Sequence, residues 1–322
     1  MNETPLFKTQ EAIKYLKDAF QVQLSKKLHL LRVTAPLFVK ASTGLNDDLS
    51  GKEERVSFKV DDEKIEIVQS LAKWKRNALK EYGFPLEVGL YTDMNAIRKD
   101  EVLDHLHSIY VDQWDWERQI NKEDRNLKYL FKVVNDIYHV IYKIGAKAEK
   151  KWGFAYHLPK KIHFISSEDL LQTYPGKTSK ERETLICKKY RAVFIYQIGW
   201  PLSDGKPHYD RASDYDDWNL NGDILVQDDA IDGPLELSSM GIRVDGKSLM
   251  QQLQQKKEMR KLKTPYCQAL VDGELPYTIG GGIGQSRLCM FYLQKKHIGE
   301  VQSSYWPDEI RKACEKENIK LL

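Results

Sequence analysis

The feature that most restricts this chain is the string Gly280-Gly281-Gly282-Ile283-Gly284-Gln285-Ser286-Arg287, which runs straight into Leu288-Cys289-Met290-Phe291-Tyr292-Leu293. Glycines let a backbone approach a ligand closely, and a helix N-terminus behind them favours anionic or electron-rich groups. The string is not a Walker loop, because the Gly-Lys-Ser/Thr ending is missing. Nor is it a Rossmann fingerprint, which opens a fold near its first strand. A tight strand-to-helix turn with an incidental arginine fits the same residues.

Two other constellations accompany it. Ala96-Ile97-Arg98-Lys99-Asp100-Glu101 precedes His107-Ser108-Ile109-Tyr110-Val111-Asp112-Gln113-Trp114-Asp115-Trp116-Glu117. Arg98 is expected to end one strand, while Gln113, Asp115 and Glu117 share one face of the next, because strand side chains alternate with period two. They line a pocket or a solvated sheet face with tryptophans beneath it. Further on, Asp223 in Leu220-Asn221-Gly222-Asp223-Ile224-Leu225-Val226 and Glu236 in Glu236-Leu237-Ser238-Ser239-Met240-Gly241-Ile242-Arg243 lie on or beside hairpin strands. Two such carboxylates suit nucleotide-bound Mg²⁺, a hard cation that prefers oxygen, and Arg243 adds a phosphate partner. Carboxylates exposed on a sheet edge are commoner in general, so this reading leans on the other two.

The remaining pattern predicts an α+β fold with antiparallel strands. Ile13, Leu16, Phe20, Leu24 and Leu28 mark one face of a helix over residues 9–28. Residues 30–38 read as one strand, with Pro36 placing it at an edge or interface. A turn-rich run over 41–52 leads into a hairpin with alternating Val56, Phe58 and Val60, then Ile65 and Ile67. Further strands are expected at 107–114, 162–165, 191–198, 223–226 and 241–244, and helices at 124–151 and 247–263. The polar stretch 199–221 is long enough for a functional loop. No repeat, low-complexity segment or long linker divides the chain, which reads as one catalytic domain over residues 1–322.

Composition narrows the function. With 41% hydrophobic and 30% charged residues over 322 positions, the chain builds a sizeable core without disulfides. Lysine plus arginine, 50, exceeds aspartate plus glutamate, 47, by only three charges, too few to imply nucleic-acid binding. The N-terminus does not read as a secretory signal, and the longest mostly apolar stretch, 192–200, falls short of the roughly 20 residues of a membrane span. A cytoplasmic protein with no membrane partner is expected. Cys187, Cys267, Cys289 and Cys314 form no zinc-like cluster and read as buried free thiols. His105 and His107 lack a third metal ligand nearby. Lys73-Trp74-Lys75-Arg76 mixes base and aromatic as nucleic-acid surfaces do, but also suits a solvated helix face.

Taken together, the three constellations resemble the class II aminoacyl-tRNA synthetase catalytic core, and within it the ammonia-dependent asparagine synthetases, nearly from end to end. Pro36 is similar to the first class II motif, Arg98 and the strand after it to the second, and the glycine run ending at Arg287 to the third. Ser70-Leu71-Ala72-Lys73-Trp74-Lys75-Arg76, Tyr110 to Glu117 and Glu236 to Arg243 resemble signatures of that family. The connection from Asp214-Tyr215-Asp216-Asp217-Trp218 to Asp223 is short for it.

The resemblance implies an antiparallel sheet flanked by helices, a homodimer formed through the first motif, and a reaction of aspartate, ammonia and ATP. The β-carboxylate attacks the α-phosphorus to give β-aspartyl-AMP and pyrophosphate, and ammonia then displaces AMP. It further implies that Arg98, Asp47 and Lys75 form the catalytic set, with Arg98 on the α-phosphate and reacting carboxylate and Asp47 at the ammonia. Ser70, Lys75, Gln113, Asp115, Asp216, Ser238 and Ser239 hold the amino acid. Arg98, Arg243, Gly281, Gly282 and Arg287 hold ATP, Arg287 by a planar guanidinium that lysine lacks. Asp223 and Glu236 hold Mg²⁺. A glutamine-using enzyme would need an activated thiolate, and none of the four cysteines has a suitable setting. A tRNA-charging relative would need an anticodon-binding module for which the chain has no spare length. A silent regulatory paralogue is disfavoured by the presence of Arg98, Asp223, Glu236 and Arg287.

Overall fold

The computed structural model describes residues 4–49 and 53–322; residues 50–52, which end the turn-rich run, and the first three residues lie outside it. The strands among the described residues are β1 (Leu30–Arg32), β2 (Phe38–Lys40), β3 (Ser57–Val60), β4 (Glu63–Ile67), β5 (Gly89–Ile97), β6 (Tyr110–Gln119), β7 (His163–Ser166), β8 (Ala192–Tyr196), β9 (Asp216–Asp228), β10 (Gly233–Arg243) and β11 (Thr278–Gly284). The α-helices are α1 (Pro5–Leu28), α2 (Ala72–Glu81), α3 (Leu127–Trp152), α4 (Ser167–Thr173), α5 (Ser179–Tyr190), α6 (Gly246–Lys256), α7 (Pro265–Val271), α8 (Gln285–Tyr292) and α9 (Asp308–Lys316).

Eight strands form the main sheet in the order β1-β5-β6-β11-β10-β9-β8-β7, and β2-β4-β3 form a small antiparallel sheet. The α+β class is as expected, but the main sheet is mixed. Its six inner strands pair antiparallel, whereas β1 pairs parallel with β5 at one edge and β7 parallel with β8 at the other. Each parallel edge is reached through a longer connection, which a hairpin cannot supply.

One face of the sheet carries the core. Leu16, Phe20 and Leu24 of α1, Ile137, Ile141 and Ile144 of α3, and Leu288 and Phe291 of α8 pack with Trp114, Trp116 and Met240 in a single buried cluster. Phe20 stacks on Trp114 at 4.8 Å between centroids. Burying such side chains contributes roughly 1.5–3 kcal/mol each. Alternation along β6 turns Asp115 and Glu117 to the opposite face, where the cavity described below lies.

Some expected elements divide. The strand over 30–38 splits into β1 and β2, which join different sheets, because Pro36 between them has no N–H for a ladder. The helix over 247–263 breaks at Lys257, whose φ is +58°, and resumes as a 3₁₀ turn over Met259–Lys263. The polar stretch 199–221 gives up its last residues to β9, so the short connection before Asp223 is continuous strand rather than loop.

The glycine run is also not a turn. Gly280, Gly281, Gly282 and Gly284 belong to β11, between β6 and β10, and none has positive φ. Their value is absence of bulk. A Cβ on Gly280 would lie 1.9 Å from Glu117 Oε2, one on Gly281 2.5 Å from Met240 Cβ, and one on Gly282 2.3 Å from Gln113 Oε1.

Candidate active site

A cavity of about 350 Å³ opens over the middle of the main sheet. It is bordered by Asp47, Ser70, Lys75, Arg98, Gln113, Asp115, Asp216, Glu236, Ser239, Arg243, Gly281, Gly282 and Arg287. Thirteen of the fifteen residues singled out in the sequence therefore converge, from segments as far apart as 47 and 287.

The other two stand behind the lining. Ser238 is buried and its Oγ donates to Gly282 O at 3.0 Å. The cause is a β-bulge: Glu236 pairs with Leu225 but Ser238 with Ile224, which leaves Leu237 as the extra residue. The bulge shifts the phase, so the buried apolar positions change from Leu235 and Leu237 to Met240 and Ile242. Glu236 and Ser239, three apart, then both border the cavity. Asp223 also lies outside the lining, held by Arg211, which does border it.

Opposite charges are interleaved on the floor. The Lys75 ammonium donates to the Asp115 carboxylate and, at 3.1 Å, to Gly281 O, and lies 4.0 Å from Glu117. Burial pulls the Lys75 ammonium below its ordinary pKa despite Asp115. Arg243 donates to Glu117 at 2.7 and 2.9 Å and to Asp216. Burial would raise the Glu117 carboxyl, but Arg243, helped by Lys75, outweighs it and holds Glu117 below the usual carboxylate range. For Asp216 burial prevails over Arg243 and the carboxyl is raised. Arg243 is thus engaged by two carboxylates, not free for a phosphate as its position in the sequence suggests.

The rim is less committed. Arg98, just past β5, makes only long contacts of 3.3 and 3.4 Å to Gln69 O and no ion pair among the described residues. Arg287, on the first turn of α8, donates to Glu236 O at 3.3 Å and lies 3.9 Å from that residue's carboxylate. Asp47 is buried, its Oδ1 accepting from Leu49 N at 2.9 Å. Ser70 Oγ accepts from Ala72 N at 3.1 Å.

Asp223 is pushed up to about 7, chiefly by burial and further by Glu236, against the pull of Arg211. Its Oδ1 is buried with no hydrogen-bond partner among the described residues. No three His, Cys, Asp or Glu side chains among the described residues form a complete cage. Mg²⁺ does not require one, since it binds through one or two carboxylates plus substrate phosphates and water. An orphaned carboxylate oxygen near a second carboxylate fits that ion.

Sequence reasoning passed over Arg211, Tyr215 and Asp112, which also border the cavity. Arg211 had a visible signal: it is the one cation in Asp210-Arg211-Ala212-Ser213-Asp214-Tyr215-Asp216-Asp217. Conversely, Lys73-Trp74-Lys75-Arg76 is buried rather than solvated. Lys73 pairs with Asp214 at 2.9 Å, and Arg76 donates to Pro276 O and Val244 O.

This sheet, with its cavity on the face away from the main core, is the class II aminoacyl-tRNA synthetase fold. Asparaginyl-tRNA synthetase from Pyrococcus horikoshii, complexed with asparaginyl-adenylate, matches with a TM-score of 0.68 over 93% of this chain and 70% of its own, at 16% identity. The Entamoeba histolytica asparaginyl-tRNA synthetase, also in complex with asparaginyl-adenylate, gives 0.67 over 92% and 68%, again at 16% identity. Sequence comparison goes further. The family model for aspartate-ammonia ligase matches residues 7–318. Aspartate-ammonia ligases of Malacoplasma penetrans and Mycoplasmoides gallisepticum are 56% and 52% identical, each over the full length of both chains. The chain belongs to the aspartate-ammonia ligase family and is an enzyme of the ligase class, as the motifs imply.

Proposed function

We propose that the enzyme makes L-asparagine from L-aspartate, ammonia and ATP through β-aspartyl-AMP, as one catalytic unit spanning residues 1–322. The observation that carries this reading is the convergence of Arg98 and Arg287 on the rim of a cavity whose floor holds Lys75 beside Asp115. The β-carboxylate of aspartate attacks the α-phosphorus, an oxygen–phosphorus bond forms, and the bond to the pyrophosphate leaving group breaks. Ammonia then attacks the acyl carbon, AMP leaves with the electron pair of the carbon–oxygen bond, and the nitrogen sheds a proton.

A carboxylate approaching a polyanion needs cations to offset repulsion, in a site that limits water. Arg98, with no ion-pair partner among the described residues, is free to meet the α-phosphate and reacting carboxylate. Arg287 presents a planar guanidinium to adenine or the distal phosphates, and Gly281 and Gly282 leave space for the nucleotide beside the strand. Lys75 faces a substrate carboxylate, and Asp115, Asp216 and Gln113 face the α-ammonium, with Ser70 and Ser239 beside them. Ser238 acts at one remove, by fixing the Gly282 carbonyl. Arg243 orders Glu117 and Asp216 and adds positive charge near the phosphates. Asp47 orients ammonium or accepts its proton. Asp223 and Glu236 would hold Mg²⁺, which supplies charge neutralisation on the polyphosphate.

Ammonia as donor is supported by the cysteines. All four are buried, and burial pushes Cys289, the one nearest the glycine strand in sequence, up to about 12. A homodimer is supported by exposed apolar side chains around Pro36, namely Leu31, Leu37 and Phe38, with Phe58 against Phe38. No helix among the described residues is long and apolar enough to cross a membrane; we place the enzyme in the cytoplasm, acting without nucleic acid.

The reading is tested by supplying purified enzyme with ATP, Mg²⁺ and aspartate, then ammonium, glutamine or tRNA separately. Asparagine, AMP and pyrophosphate are expected with ammonium and not with glutamine. Aminoacylated tRNA, or ATP binding with no turnover, would overturn it.

A further inference from the structure

One half-buried cation without an assigned role stands against the carboxylate proposed for the metal. Arg211, between β8 and β9, donates through Nη1 to Ser239 Oγ at 3.1 Å and through Nη2 to the Asp223 carboxylate. Its Nε, like Asp223 Oδ1, is buried without a hydrogen-bond partner among the described residues. The guanidinium is therefore only partly satisfied where it lies, and its side chain borders the cavity.

The backbone that carries it is pinned on both sides. His208 Nε2 lies 3.0 Å from Glu183 Oε1, and the Tyr209 hydroxyl donates to Glu183 Oε2 at 3.0 Å. On the other side, Trp218 Nε1 donates to Ala212 O at 3.0 Å. With the main chain held, the long arginine side chain is the part free to move.

We infer that Arg211 is a stand-in cation: it neutralises Asp223 when no metal is bound, and yields that carboxylate to the divalent ion arriving with the nucleotide. The inference rests on the assignment of Asp223 and Glu236 to the metal. Asp223 is buried and the nearby Glu236 carboxylate repels its charge, so an ionised Asp223 needs a cation at every stage of the cycle. A guanidinium and a dication on the same carboxylate repel as well, so the arrival of one displaces the other. Displaced from Asp223, the Arg211 guanidinium turns into the cavity, where the polyphosphate held by the same ion offers it new acceptors.

The test uses Mn²⁺ alone as probe, titrated into wild-type, Arg211→Gln and Asp223→Asn enzymes at mildly alkaline pH and followed by electron paramagnetic resonance. Arg211→Gln is expected to bind Mn²⁺ on the order of ten-fold more tightly, because its competitor is gone. Asp223→Asn is expected to lose the site. Unchanged or weaker binding in Arg211→Gln, with loss in Asp223→Asn, overturns the exchange and leaves the metal assignment standing. Unchanged binding in Asp223→Asn overturns the metal assignment and the exchange with it. A second readout needs no variant: phenylglyoxal modification of Arg211 in the wild-type enzyme, followed by peptide mass spectrometry, is expected to accelerate when Mn²⁺ is added. A rate that stays the same or falls means that Arg211 remains on Asp223, and overturns the proposal.

Discussion

Glu117 and Arg243 sit on strands that are not neighbours, yet their side chains meet at 2.7 and 2.9 Å by passing over Gly280 of the strand between them. A methyl group at Gly280 would lie 1.9 Å from Glu117 Oε2 and 2.6 Å from Arg243 Nη2. The glycine is the gap through which the two charges join.

Breaking this pair from one side leaves the other charge buried, which costs about 3–5 kcal/mol. Glu117→Ala is expected to lose that much stability in urea denaturation. Gly280→Ala is expected to be severe alone but milder in the Glu117→Ala background, since both act on one contact. Additive losses would show that Gly280 matters for another reason.

Arg98 bears no comparable structural burden, its guanidinium making only long hydrogen bonds to one carbonyl among the described residues. Arg98→Ala is expected to shift stability by less than about 0.5 kcal/mol while abolishing aspartate-dependent pyrophosphate release. Release at the wild-type rate would remove Arg98 from the reaction.

The role proposed for Asp47 distinguishes the two half-reactions. Asp47→Ala is expected to spare aspartate-dependent ATP–pyrophosphate exchange and slow transfer to ammonia, read as asparagine formed per adenylate made. Equal losses in both would dismiss its role at the ammonia.

Asp228 predicts a pH effect on the fold away from the cavity. It is fully buried, its Oδ2 has no partner among the described residues, and burial raises its carboxyl to about 6. A carboxyl raised in the folded state favours folding while it is protonated, so its contribution is complete below about 4 and lost as pH rises through about 6. Asp228→Asn, which keeps the oxygen that accepts from Ala230 N at 2.9 Å, is expected to be more stable than wild type above pH ~7 by on the order of 2 kcal/mol. The advantage should vanish in acid; equal melting temperatures throughout would refute it.

Much of the site was legible because strand alternation is a local property. Trp114 and Trp116 on one side, Gln113, Asp115 and Glu117 on the other, follow from period two alone, though not whether the polar side faces a cavity or solvent. The long motif strings named the family and most of the lining. What one segment cannot reveal is how far its neighbours have shifted. A single extra residue, Leu237, sets Ser239 at the cavity and Ser238 behind it, because a bulge is set by pairing with β9 and not by the local sequence. The same holds for charge. Arg243 and Lys75 read as free cations along the chain, but folding brings Glu117, Asp216 and Asp115 against them, since charges removed from water must find partners. The sequence by itself determined which faces are apolar and which chemistry is present; only the tertiary structure decided which charges are already spent on one another and which, such as Arg98, have no ion pair among the described residues.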